Sequence, residues 1–156
     1  MKEPGIDVWE EIARGPIPIP GPPRRIIVDS WKRSRLAGVP KAGGACFRQV
    51  HPDEFHKRRD DAAEVLELTV PHLEWVSGNL DMEQIAHTIY FADRDGIVLW
   101  SKGTSPEAMK QAGLVPGYDW SETTMGTNGA GTAIATGQSV VIVGDEHYGS
   151  AWHGFT

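Results

Sequence analysis

The chain has 156 residues, 40% hydrophobic and 23% charged, enough for one globular domain with a real core and too few for two comfortable ones. Its net charge of -6 repels phosphate backbones and argues against direct nucleic-acid contact by this segment. A single cysteine, Cys46, excludes an intramolecular disulfide and a cysteine-based zinc site. No run of about 18 apolar residues is present to span a membrane, and the first residues lack an apolar signal-peptide core, which points to a cytoplasmic protein.

Residues 1–23 hold a short helical stretch, Val8 to Arg14, and then five prolines within Gly15 to Pro23. That density forbids helix and favours a stiff, extended arm. Arg25 to Ala37 reads as a helix stopped by Gly38 before Pro40. Its basic cluster, Arg24, Arg25, Lys32, Arg33 and Arg35, reads as a solvated face. Residues 39–50 are loop, with Cys46 in them as a small buried hydrophobe. A long helix starts at Pro52-Asp53. Apolar residues recur at three and four as far as Val76, Pro71 is expected to kink or split it, and Gly78-Asn79 to end it. Its surplus apolar stripe suits a helix partner.

The remainder changes character. Thr88–Ala92 and Ile97–Trp100 read as strands joined by the turn Asp93-Arg94-Asp95-Gly96, a good hairpin signal. Pro106 to Ala112 and the region near Gly131 to Thr136 read as helical, and Ser139–Val143 as a third strand. Helices followed by a hairpin and mixed elements give an α+β domain with an antiparallel sheet flanked by helices.

Two clusters carry polar chemistry. The loop from Trp120 to Ala133 is rich in glycine and hydroxyl residues, whose backbone amides can approach a polar ligand closely. It lacks the Gly-Lys-Ser/Thr of a phosphate loop and the glycine spacing of a dinucleotide fingerprint. Gly144 to His153 gathers Asp145, Glu146, His147, Tyr148, Trp152 and His153. No His-Glu-x-x-His is present, and histidines with aromatic neighbours more often line a pocket or cap a loop than hold a metal. No nucleophile elbow is present, so no catalytic residue is assigned.

The stretch Ser30-Trp31-Lys32-Arg33-Ser34 with Gly38-Val39-Pro40 resembles the opening motif of acetoin-catabolism-type sigma-54-dependent regulators. Pro116-Gly117-Tyr118-Asp119-Trp120-Ser121-Glu122, Gly126-Thr127-Asn128 with Gly131-Thr132-Ala133, and Gly144-Asp145-Glu146-His147-Tyr148 with Trp152-His153 resemble the same family's later motifs, in the same order. Gly129-Ala130 departs from the family's usual Ala-Ile. The resemblance implies a GAF/PAS-like sensor domain that binds a small organic effector, works as a homodimer, and controls a downstream ATPase and DNA-binding module. It implies ligand contacts from Trp120, Glu122, Thr127, Asn128, His147, Tyr148, Trp152 and His153, with no cofactor. It also implies two further strands beyond Thr156, so the domain reads as incomplete at its C-terminus. The expected organisation is a Pro-rich arm at 1–23, dimerisation and signalling helices at 24–80, and the sensor at 81–156. Two other readings stay open: a ligand-free dimerisation or interaction module, and an enzyme on the same fold such as a methionine sulfoxide reductase. That chemistry needs more than one cysteine.

Overall fold

The computed structural model describes residues 24–41, 47–150 and 153. The arm at 1–23, Cys46, and Trp152 lie outside the described residues. The fold is α+β. In chain order it runs through α1 (Arg25–Leu36), α2 (Pro52–Asp61), α3 (Ala63–Met82), β1 (Thr88–Ala92), β2 (Val98–Gly103), α4 (Pro106–Gln111), α5 (Glu122–Met125), α6 (Gly129–Thr136) and a 3-10 turn at Gly144–Glu146. Two contact units result. One is continuous, residues 47–120; the other joins the described residues before Phe47 to those after Trp120.

In the continuous unit, β1 and β2 form an antiparallel hairpin with Thr88 opposite Gly103 and Phe91 opposite Trp100, and a bulge follows at Phe91/Ala92. The turn closes because Asp93 Oδ1 accepts from the amides of Asp95 and Ile97, at 2.9 and 3.0 Å. Gly96 supplies the positive φ of 91° that the turn needs. Single bridges extend the pairing: Ile97 with Asp119, and Gln49 with Tyr118. Val50, Leu66, Ile97 and Leu99 form the buried core, flanked by Phe55, Ala62, Val70, Phe91 and Trp100. Arg58 ties α2 to the hairpin turn, donating to Asp93 at 2.7 Å, to Asp95 at 2.8 Å, and to Glu54 at 3.0 Å. This holds the Asp95 carboxyl below its usual range.

Three sequence expectations are corrected here. The long helix divides at Ala62, whose φ of -104° leaves helical geometry, and not at Pro71, which lies inside α3. Gly78-Asn79 does not end it; α3 runs on to Met82. Ser139–Val143 is not a strand. Its backbone groups are taken by side chains instead: Arg24 donates to the Val141 carbonyl, and the Val143 amide donates to Glu146 at 3.0 Å. Without a neighbouring strand those groups have no ladder to join.

Candidate functional site

Helix α1 buries Ile27, Ser30 and Ser34 on one face. Spacings of three and four bring the two hydroxyls onto the same stripe. Ser34 bonds back to the Ser30 carbonyl at 3.0 Å, which satisfies its hydrogen internally. Ser30 is left to reach outward, to the segment that begins at Glu122.

That segment is ordered by its own caps. Asn128 caps α6 by accepting from the Gly131 amide at 2.8 Å, and its amide donates to the Gly126 carbonyl at 2.8 Å. Gly126 has φ of 74°, and an added Cβ would lie 2.9 Å from the Cβ of Tyr148. Only glycine lets the chain turn there with Tyr148 packed against it.

Glu122, buried, is the centre of the site. Its Oε1 accepts from Ser30 Oγ, from Thr132 Oγ1 at 3.0 Å, and from Arg33 Nη2 at 3.0 Å. Its Oε2 accepts from Arg33 Nε at 2.5 Å. Thr127 Oγ1 lies 2.6 Å from Ser30 Oγ and 3.5 Å from Ser34 Oγ. An ionised carboxylate is acceptor-only, and four donors satisfy this one. Desolvating it is costly, so the arrangement is stable only as a complete set.

A second carboxylate repeats the design. Arg24 donates to Glu146 at 2.9 Å and 2.6 Å, and the Trp31 indole donates to the Glu146 carbonyl at 2.8 Å. Arg24 and Arg33 are therefore not part of a solvated basic face, as their sequence neighbourhood suggested. Each is a partner to a buried acid about ninety or more residues away.

His147 is buried, and its Nδ1 donates to the Gly144 carbonyl at 3.1 Å, which assigns the proton to Nδ1 and leaves Nε2 an acceptor. Burial lowers its pKa below the usual histidine value. His153 pairs with Asp145 at 3.1 Å. Among the described residues no three histidine, cysteine, aspartate or glutamate side chains are grouped to hold a metal ion.

The anticipated ligand residues are thus distributed. Glu122, Thr127, Asn128, His147, Tyr148 and His153 belong to the discontinuous unit. Trp120 belongs to the continuous one, where its indole donates to the Gly113 carbonyl at 2.8 Å and its ring lies 6.1 Å from that of Tyr90. Ser30, Arg33, Ser34 and Thr132, which sequence reasoning did not name as ligand contacts, belong to the same hydrogen-bond network as Glu122 and Thr127. The signal was available, since Ser30, Arg33 and Ser34 all stand in the Ser-Trp-x-Arg-Ser motif.

An open cleft of about 220 Å³ lies beside Glu122. Arg33, Ser121, Glu122 and Thr123 line it together with Gly131, Ile134 and Ala135.

The chain is 30% identical over 158 residues to the acetoin dehydrogenase operon transcriptional activator AcoR of Bacillus subtilis, covering 95% of this chain and 24% of AcoR. It is 30% identical over 129 residues to the propane 2-monooxygenase operon transcriptional activator MimR of Mycolicibacterium goodii, covering 78% of this chain and 20% of MimR. The chain thus spans no more than a quarter of either relative. Among solved structures, a chain of the E. coli DhaR(N)-DhaL complex matches with a TM-score of 0.74 at 19% identity, covering 83% of this chain and 44% of that one. The profile of one family, described as the MimR N-terminal domain, matches residues 24–156, and the chain belongs to that family.

Proposed function

We propose that this chain is the signal-receiving N-terminal region of a bacterial transcriptional activator and not an enzyme. In this reading it acts in the cytoplasm as a homodimer and binds a small organic effector. The helices of 24–80 transmit the signal from the sensor at 81–156 to a downstream ATPase and DNA-binding module. The observation that carries the reading is the convergence of three separated sequence motifs on the carboxylate of Glu122, at the edge of the cleft. A ligand group that competes for one of its donors alters the whole set, which couples occupancy to the position of α1.

The cleft constrains the effector. At about 220 Å³ it is smaller than the pockets of ~300–1,000 Å³ that take drug-sized ligands. It suits a mostly apolar molecule of a few heavy atoms, lying against Ile134 and Ala135 beside Arg33 and Glu122. Among the eight anticipated contacts, Glu122 is the one that lines the cleft. Thr127 and Asn128 act by holding it and its loop in place.

Acetoin, named in the description of one relative, is the natural first probe. Thermal unfolding in millimolar acetoin should shift upward by a few degrees, because a ligand bound only to the folded state must stabilise it. Ile134→Trp, which fills the cleft from an exposed position, should abolish the shift. An equal shift in both proteins would remove the cleft from the proposal. A second reading, a protein-interaction module, is favoured by a separate observation: α3 carries large exposed apolar side chains.

A further inference from the structure

Helix α3 is apolar on two opposite sides. Its inner side carries Leu66, Val70, Leu73 and Ser77, of which Leu66 and Ser77 are buried. Its outer side carries Val65 (50% exposed), Leu68 (68%), Trp75 (71%) and Met82 (74%). A surface helix needs only one apolar stripe, and one that is apolar all round is normally covered all round.

The outer residues follow a strict pattern. Val65, Leu68, His72, Trp75, Asn79 and Met82 are spaced three, four, three, four, three. This is the a/d repeat of a two-helix coil, with Val65, His72 and Asn79 at a and Leu68, Trp75 and Met82 at d. We propose that this face docks against the same face of a second copy of this chain, in a parallel, in-register pair of α3 helices. The proposal rests on the homodimer of the proposed function and specifies its surface.

Three features select a second copy as the occupant. The first is charge. The acidic residues Glu67, Glu74 and Asp81 stand at c positions, off the seam, and the flanking e and g positions are Thr69, Val76, Glu83, Glu64, Pro71 and Gly78. In a parallel pair each g residue meets the e residue five further on, so Glu64 meets Thr69, Pro71 meets Val76 and Gly78 meets Glu83, with no like charges opposed. Glu64 and Glu83 are the charges that flank the seam, and in this register neither is set against a like charge, so a second copy is tolerated.

The second feature is area. Val65, Leu68, Trp75, Val76 and Met82 are 39–74% exposed, a continuous apolar stripe one helix wide that a second helix covers, a compact contact beside the ~800 Å² that a standard interface takes from each partner. The third is Asn79. It donates one amide hydrogen to the Trp75 carbonyl at 2.7 Å, and among the described residues its oxygen and second hydrogen are open to another partner. In the parallel register it faces the same amide of the second copy, whereas an antiparallel pair centred on the stripe would set it against Leu68. His72 and Asn79 are the polar a residues, and each meets its own kind only in the parallel register, whereas the antiparallel pair sets His72 against Trp75 and Asn79 against Leu68, so together they fix register.

Sedimentation velocity at ten micromolar tests the surface. The unaltered chain should be dimeric. Leu68→Glu with Trp75→Glu, both at exposed positions, should be monomeric with unchanged far-ultraviolet circular dichroism. If the unaltered chain is monomeric, the homodimer itself fails. If it is dimeric and the double variant stays dimeric, the homodimer stands and this surface is wrong. Val65→Cys in a Cys46→Ser background tests the direction: it should form an interchain disulfide under mild oxidation, since Val65 meets its own copy only in the parallel register. A dimer that does not cross-link overturns that register.

Discussion

The two units of this chain are stabilised by different physics. The continuous unit, 47–120, is held by apolar area around Leu66, Ile97 and Leu99. The discontinuous unit also buries Ile27, Met125 and Ile142, but its distinguishing feature is a set of buried polar side chains: Ser30, Ser34, Glu122, Thr127 and Thr132 bonded to one another, with Glu146 held by Arg24 and His147 by the Gly144 carbonyl. Area is forgiving of chemistry and sensitive to volume. A closed polar set is the reverse: it accepts almost no change of atom type, because each member lost leaves the others unsatisfied. A family signature written in serine, threonine, asparagine and glutamate marks the second kind of unit.

The largest effect is expected in the first unit. Trp120→Ala should cost about 3–5 kcal/mol, as large aromatic deletions from a core do, measured by urea unfolding. Trp120→Phe should recover most of it, although the bond to Gly113 is lost. A loss under about 1 kcal/mol for Trp120→Ala would show that the ring is not part of the core.

Glu122→Gln keeps the shape and removes the charge. It should cost about 2–3 kcal/mol, below the usual 3–5 for breaking a buried pair because Arg33 is partly exposed. The variant also replaces an acceptor by an amide donor facing Ser30 and Thr132. A neutral outcome would mean that shape and not bonding holds this unit, and the contrast between the units would collapse.

These two residues also show what could be read in advance. The hairpin, α1 with its Gly38 stop, α4, and the helix that begins after Asn128 follow from signals local in the chain, and they were legible. The motif residues were legible as a set. Their pairing was not: Arg33 and Glu122 are 89 residues apart, and nothing in their spacing announces a contact. The basic cluster around α1 therefore looked like a solvated face. The break at Ala62 was hidden for a similar reason. Pro71 is the stronger local breaker, but Arg58 is held by Asp93 and Asp95 and Ala62 packs on the core, so tertiary contacts attend the break elsewhere.

A smaller effect should appear with pH. Burial lowers the His147 pKa, so the unfolded chain takes up its proton near pH 6.5 while the folded chain resists. More protons on the unfolded state mean that stability is full above that value and falls on acidification below it, until the folded imidazole also titrates. The slope attributable to this residue is at most about 1.4 kcal/mol per pH unit. It should be missing from His147→Asn when unfolding free energies are compared at pH 7.5 and 5.5. Identical pH profiles would place His147 in solvent.

The smallest effect belongs to Arg58. Three carboxylates surround it, but two of them, Glu54 and Asp95, are largely exposed. Arg58→Ala should cost about 1 kcal/mol or less and lose most of that difference in 0.5 M salt.

The interrupted sequence of the second unit has a consequence for how the protein assembles. Residues 47–120 form a local, uninterrupted stretch, and their contacts close short loops. The partners of Ser30 and Arg33 emerge from the ribosome only after that whole stretch has been made. Closing a loop of about ninety residues costs entropy that grows slowly with length, but it must be met before any bond repays it. Topology therefore predicts that the two serines of α1 stay in water through most of synthesis and that the hairpin and core form before α1 docks. In pulsed hydrogen exchange the Val98 and Leu99 amides should become protected before that of Ser30, and delaying synthesis past Trp120 should leave α1 as exposed as any nascent chain.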